Sequence, residues 1–306
     1  MNIINIMNKL RKVFLVVLVV FIIIISTIIT YFAPNNNDDI EDSDKKIGVV
    51  VTVLPQAEFV EKVGGNKVRV TTMVPPGADP HIYEPMPEQL RELSNADLYA
   101  MVGSGIDFEL VWMDKFSSMN PDMEIMNCSD NIDFIENTEN NDHDHPPSID
   151  PHVWVAPKNA KIMVENIYQK LATIDPANKE YYKKNKDKYI KELDKLDFDI
   201  RKSLEGKDNR IIMVYHPAWG YFCHDYSLKQ IAIQSEGKEP TPQGIASLIK
   251  QARGENIKVI FVSPQFSSRN AKVIAENIGG EVVKIDPLAK NYVENLYQVV
   301  EAFKNS

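Results

Sequence analysis

Two loops of this chain carry the same tripeptide: "GADPHIYEP" (77–85) and "SIDPHVWVAP" (148–157) each place a histidine directly behind an Asp-Pro pair. Two further polar residues close predicted strands, His216 in "RIIMVYH" and Asp286 in "EVVKID". The chain has six histidines, so three of them at strand ends or in the following loops is an informative placement. Neutral imidazole nitrogen and carboxylate oxygen suit a borderline divalent cation such as zinc, which in closed sites takes four protein ligands at about 2.0–2.2 Å. Pro80 and Pro151 fix φ and lower the entropy lost when the next imidazole is immobilised. Asp79 and Asp150 are placed either to accept from the ring nitrogen facing away from the cation or to cap the next turn.

A catalytic zinc keeps one position for water or substrate, whereas three histidines and an aspartate close the sphere. The chain has no H-E-x-x-H, no G-x-S-x-G and no phosphate-gripping glycine loop. A zinc-dependent hydrolase is therefore a distant reading, and no catalytic residue or enzyme cofactor is expected.

The elements that must position these groups alternate in type. Strand-like runs at 46–53, 67–74, 96–103 and 122–129 are separated by helical stretches near 55–64, 87–95 and 107–118. The alternation repeats with strands at 210–216, 228–233, 258–264 and 281–287, and Thr241-Pro242 supplies a helix start. Buried parallel strands flanked by helices predict an α/β fold of two lobes, 47–174 and 207–306. In such sheets, ligands bind beyond the carboxyl ends of the strands, where the four candidate residues fall. Between the lobes, residues 175–206 read as one long helix, with Asp175 and Pro176 at its start and Gly206 at its end. Tyr182, Tyr189, Leu193, Leu196, Ile200 and Leu204 form an apolar stripe on its otherwise charged surface. A rigid helix of roughly 40 Å joining two lobes resists wide opening about a flexible crossover.

Residues 1–33 differ from the body. Lys9, Arg11 and Lys12 precede an uncharged run from Val13 to Ala33, about the length that spans a bilayer. The run exceeds the usual signal-peptide core and lacks an A-x-A site, so an uncleaved anchor is expected, basic end inside and body outside. Residues 34–46 read as a polar tether. The first 46 residues carry five basic and five acidic side chains, leaving the whole net charge of -9 on the body. That balance argues against nucleic acid as a partner and is compatible with cations. Cys128 and Cys223 are expected to be two small buried apolar residues rather than a disulfide.

From about residue 47 to 306 the chain resembles the zinc/manganese solute-binding proteins of ABC transporters. The resemblance rests on "VPPGADPHIYEPMPEQLREL", "DPHVWVAPKNA", "DPANKEYYKKN", "VYHPAWGYF", "SPQFSSRNAKVIAENIGGEVVKIDPL" and the terminal helix, all in order. It implies two lobes bridged by one long helix and a cation held between them by His81, His152, His216 and Asp286. It also implies a transported Zn²⁺ or Mn²⁺, a membrane permease with its ATPase as partner, and a monomer. The third ligand position carries His in zinc-type members and often Glu in manganese-type ones. Here it is His216, which favours zinc, with a manganese receptor as the alternative. Ser263 stands where the family commonly has Glu before Pro-Gln-Phe. "ENTENNDHDHPPS" (136–148) corresponds to a histidine- and acid-rich loop of zinc-type relatives, and His143 and His145 are candidates for weak capture or for a plain polar loop. Trp154 and Trp219 are expected to brace the lobes near their histidines, and Tyr83 and Glu84 to orient the His81 loop. A surface adhesin is a further, more distant reading. Because ligation needs neutral imidazoles, affinity is expected to weaken toward the free histidine range near pH 6.5.

Overall fold

The computed structural model describes residues 7, 9, 11–15, 17, 18, 46–136, 149–234 and 237–306. Contacts divide the chain into two units, Met1–Lys45 and Lys46–Ser306. Most of the expected anchor and tether lies outside the described residues, as do His143 and His145. Among the described residues no helix is long and apolar enough to cross a membrane.

The second unit holds two four-stranded parallel sheets. In chain order the first contains β1 (Ile47–Val51), β2 (Val68–Thr72), β3 (Leu98–Met101) and β4 (Glu124–Asn127). It is joined by helices α1 (Leu54–Gly64), α2 (Pro87–Leu93) and α3 (Asp107–Met119). After α4 (Pro157–Ile174) and the long α5 (Lys179–Leu204), the second sheet follows, with β5 (Ile211–Val214), β6 (Lys229–Ala232), β7 (Val259–Val262) and β8 (Glu281–Lys284). Its helices are α6 (Gly220–Asp225), α7 (Pro242–Gly254), α8 (Arg269–Ile278) and the terminal α9 (Tyr292–Lys304). The spatial orders are β2-β1-β3-β4 and β6-β5-β7-β8, the same order in both sheets. Central strands covered on both faces must be apolar throughout. Accordingly Val49, Val50 and Val51, and Val259 to Val262, are all buried.

All the strands but β6 end two or three residues before the runs that mark them in the sequence. His216 lies two residues beyond β5 and Asp286 two beyond β8. Single ladder bonds continue past the strand ends, from Tyr215 N to Phe261 O (2.7 Å) and from Ile285 N to Val262 O (3.1 Å). Both site residues thus leave the sheet from a backbone that is still tied down.

Helix α5 runs for 26 residues, about 39 Å at 1.5 Å per residue. The six stripe residues read from the sequence are its buried ones. Its start differs from the expected cap. Asp175 precedes a short 3₁₀ turn, Pro176–Asn178, and its Oδ2 accepts from Tyr182 Oη (2.6 Å) and Asn178 Nδ2 (2.7 Å) instead of from a helix N–H. At α7 the expected Thr241 cap is present, Oγ1 accepting from Gly244 N at 3.1 Å.

One hydrophobic core runs through both halves. It contains Val49, Phe59 and Leu98 from the first sheet layer, Tyr189, Leu193 and Leu196 from α5, and Val214, Phe261 and Phe303 from the second. Smaller clusters lie on the outer faces of each sheet. Polar bonds reinforce the shared core. Glu58 on α1 accepts from Tyr189 Oη (2.8 Å) and from Tyr292 N (2.7 Å), and Tyr292 Oη donates to Trp154 O (2.8 Å). Cys128 and Cys223 are both buried free thiols.

Candidate metal centre

Each candidate histidine is aimed by a different local device. His81 sits in the loop between β2 and α2, where Asp79 Oδ1 accepts from its backbone N (2.9 Å). His152 precedes the buried turn Val153–Val155 and the start of α4. Asp150 Oδ1 accepts both from its backbone N (2.9 Å) and from its ring Nδ1 (2.8 Å). His216 follows β5, and its ring stacks on Phe266 with centroids 4.7 Å apart. His152 and His216 are buried, while His81 is partly exposed.

All three rings are held by Nδ1. Asp107 Oδ2 lies 2.6 Å from His81 Nδ1, Asp150 Oδ1 2.8 Å from His152 Nδ1, and Gln234 Oε1 2.9 Å from His216 Nδ1. These partners are acceptors, so each Nδ1 carries the proton and each Nε2 presents a lone pair. Gln234 is oriented by its other end, Nε2 donating to Gly237 O at 3.0 Å.

The three Nε2 atoms converge. His216 Nε2 lies 3.2 Å from His81 Nε2 and 3.2 Å from His152 Nε2, and the ligand atoms of all three lie within 4.8 Å of one another. Two lone pairs at that distance repel unless a cation lies between them. The spacing is near the edge of a zinc tetrahedron, roughly 3.3–3.4 Å for Zn–N bonds of 2.0–2.1 Å. The arrangement offers a cation three preoriented nitrogens, and each of them is backed by an acceptor that raises its basicity.

Asp286 is not in that cluster. Its Oδ1 accepts from Gln265 Nε2 (3.0 Å) and Leu288 N (2.9 Å), and its backbone O from Asn295 Nδ2 (2.7 Å). The cavity around the imidazoles is lined by Gln265, Phe266, Pro287 and Leu288 rather than by Asp286. A far larger groove, about 1000 Å³ between α1, α5 and α9, has no cluster of metal ligands among the described residues.

The two Asp-Pro-His loops look alike in sequence but work differently. Asp150 holds both backbone and ring of its histidine, whereas Asp79 holds only the backbone and leaves the His81 ring to Asp107 at the start of α3. Asp107, Gln234 and Gln265 were not marked by any spacing. Gln234 was still within reach, since it lies two residues past β6, by the same strand-end rule that marks His216. Trp154 packs edge-on to His152 (5.5 Å) and donates from Nε1 to Pro287 O (2.8 Å), bridging the two halves beside the site. Trp219 is buried against Phe222 and Phe303. Tyr83 reaches Gln89 rather than the His81 ring, its Oη donating to Oε1 at 2.8 Å.

Gly220 leaves the space that Asp150 needs. A Cβ there would stand 2.1 Å from Asp150 Oδ2. Gly220→Ala is expected to push that carboxylate off His152 and weaken zinc binding by roughly 10–100-fold, the usual effect of losing a ligand's outer partner. Isothermal titration against a competing chelator measures this, and unchanged affinity would contradict the assigned role of Asp150.

Burial, followed by the neighbouring His152 and His81, pushes His216 down to about 2. The weakening near pH 6.5 expected of a free imidazole therefore does not apply to this ring. The effect on stability has a definite sign. An unfolded histidine takes a proton near pH 6.5 that folded His216 refuses until about 2, so its contribution is complete above 6.5 and is lost as pH falls through that window. By pH 5 this amounts to about 2 kcal/mol. Urea midpoints of the metal-free protein at pH 7.5 and 5 should differ more than those of His216→Gln, and equal differences would refute the assignment.

Residues 49–306 match the family model described as "ZnuA: Zinc-uptake complex component A periplasmic". The high-affinity zinc uptake system protein ZnuA of Bacillus subtilis is 30% identical over 282 residues, covering 85% of this chain and 88% of the relative. A crystal structure of ZnuA superposes with a TM-score of 0.81 at 35% identity, covering 86% of this chain and 99% of the other. A zinc-bound ZnuA deletion mutant gives 0.80 at 36%, covering 85% and 98%. With two like-ordered parallel sheets, one long helix and a match over nearly the whole body, the chain belongs to the ZnuA family of metal solute-binding proteins, which are binding components of uptake systems and not enzymes.

Proposed function

We propose that this chain is the extracytoplasmic receptor of an ABC importer, capturing Zn²⁺ and delivering it to a membrane permease driven by a separate ATPase. The observation that carries this reading is the convergence of three Nε2 atoms, each with its Nδ1 already committed to an acceptor. His81 and His152 belong to a first lobe, 47–174, and His216 and Asp286 to a second, 207–306, with 175–206 between them. In this reading the three imidazoles are ligands and Asp286 is the acidic group of the fourth position. Residues 1–33 anchor the protein, 34–46 tether it, and the receptor works as a monomer. Three imidazoles favour zinc over manganese, which prefers more oxygen.

Metal analysis of protein purified without added metal, followed by titration with zinc and manganese in competition, tests the reading. One equivalent of tightly held zinc that a tenfold excess of manganese does not displace is expected. Preferential loading with manganese would transfer the chain to the manganese branch.

A further inference from the structure

Helix α5 carries five of its lysines in one outward row. Lys184, Lys188, Lys191, Lys195 and Lys202 follow the three- and four-residue steps that keep side chains on a single helix face, with Phe198 filling the step between the last two. The row is about 27 Å long at 1.5 Å per residue. All six side chains are exposed, Phe198 by 64%, and they lie opposite the buried stripe. The acidic residues of the helix are occupied on its flanks: Asp187, Glu192, Asp194 and Asp197 pair with Lys183, Lys62, Lys161 and Arg201. Within the row Lys195 pairs with Asp199, whereas among the described residues Lys184, Lys188, Lys191 and Lys202 have no ion-pair partner. Glu180, four residues before Lys184, marks the end of the row without pairing to it. On a chain of net charge -9, this line of uncompensated cations has the sign opposite to the whole. Such a body is repelled by an anionic surface unless it presents its cations to it.

Both ends of α5 lie where strands begin. Tyr181 Oη, at its start, donates to Asn66 Oδ1 (3.1 Å) just before β2, and β2 pairs with β1 from Val68 and Ile47 onward. At the far end Arg201 Nη1 donates to Asp225 O (3.2 Å), shortly before β6. His81 and His216 follow the opposite ends of β2 and β5. The helix therefore runs along the side of the sheets remote from the imidazoles. The chain enters the body on that same side, since Ile47 opens β1. In the reading proposed above, residues 1–33 anchor the chain in a bilayer and 34–46 lead to β1. A segment as long as 34–46 reaches at most about 45 Å. The body is thus held beside the membrane, where even a weak contact is populated.

We propose that this row of α5 is a docking surface for an anionic phospholipid bilayer, its lysines meeting lipid phosphates and Phe198 entering the interface. Each lysine close to such a surface strengthens the contact about fivefold, and long lysine side chains reach the phosphates while their stems cover the helix. The contact sets a resting orientation, with α5 on the membrane and the imidazoles turned away from it toward the medium. The inference rests on the membrane-anchored part of the receptor reading and adds a surface to it.

The test uses the full chain with vesicles of phosphatidylglycerol and phosphatidylcholine, or of phosphatidylcholine alone. A water-soluble acylating reagent, read lysine by lysine in the mass spectrometer, reports which side chains the bilayer covers. Acylation of Lys184, Lys188, Lys191 and Lys202 should slow roughly fivefold on the anionic vesicles and recover in about 0.5 M salt, while Lys250 on α7 and Lys272 on α8 react alike on both. Lys188→Glu combined with Lys191→Glu should restore the reactivity of Lys184 and Lys202 and leave zinc affinity unchanged. Equal rates on the two vesicles would overturn the inference, as would protection by soluble polyphosphate but not by vesicles, which would assign the row to a polymeric phosphate. Flotation separates this result from the anchored reading. Recovery with both vesicles shows the anchor, recovery with the anionic ones alone supports the docking row without an anchor, and recovery with neither overturns both.

Discussion

His216→Ala is expected to lower zinc affinity by roughly 10²–10³-fold while leaving a folded protein. Zinc held by four protein ligands in small domains is worth about 10–16 kcal/mol at neutral pH, or on the order of 3–4 kcal/mol per ligand. His216 is the ring common to both 3.2 Å contacts, so its loss leaves His81 and His152 without the nitrogen that links them. The variant also deletes a buried neutral imidazole, so the metal-free protein loses its pH-sensitive contribution at the same time. Chelator competition measures the first effect and circular dichroism the retained fold. An affinity within threefold of wild type would show that the imidazole cluster is not the zinc site.

Trp154→Ala is expected to cost about 3–5 kcal/mol in unfolding free energy, the range for deleting a fully buried aromatic side chain. Trp154 is completely buried and belongs to the core shared by both halves. Its Nε1 holds Pro287 O, beside the Asp286 loop, and its own carbonyl accepts from Tyr292 Oη. A urea titration should therefore show a much lower midpoint, with zinc shifting that midpoint upward in both proteins. Trp154→Phe separates the two roles, because it keeps most of the apolar volume while losing the bond to Pro287. A small change in Trp154→Ala would mean that the halves are held together elsewhere.

How much of this was legible in the sequence depended on the range of the interaction. Short apolar runs and one helical stripe marked all eight described strands and the buried face of α5, because burial of a strand or a helix face is written locally. The three histidines were legible for the same reason: strand ends are visible, and loops beyond them are where α/β sheets bind ligands. What holds each imidazole was not legible. Asp107 meets His81 across 26 positions, and Gln234 meets His216 across 18, separations fixed by how strands and helices stack and not by any nearby pattern. The repeated Asp-Pro-His even suggested a false symmetry between its two copies. Asp79 and Asp150 are each followed by the same Pro-His pair, yet only Asp150 reaches its histidine's ring. Nor did two strand-and-helix repeats announce that their inner faces would merge into one core around α5.

The sulfur chemistry of the chain follows from where Cys128 and Cys223 lie. Burial pushes the Cys128 thiol up to about 12 and raises that of Cys223 as well. Thiolate, not thiol, is the form that grips soft cations or attacks disulfides and electrophiles. A carrier of a thiophilic cargo thereby keeps its own sulfurs inert. The described body of the protein therefore offers zinc no thiolate to compete with its convergent imidazoles.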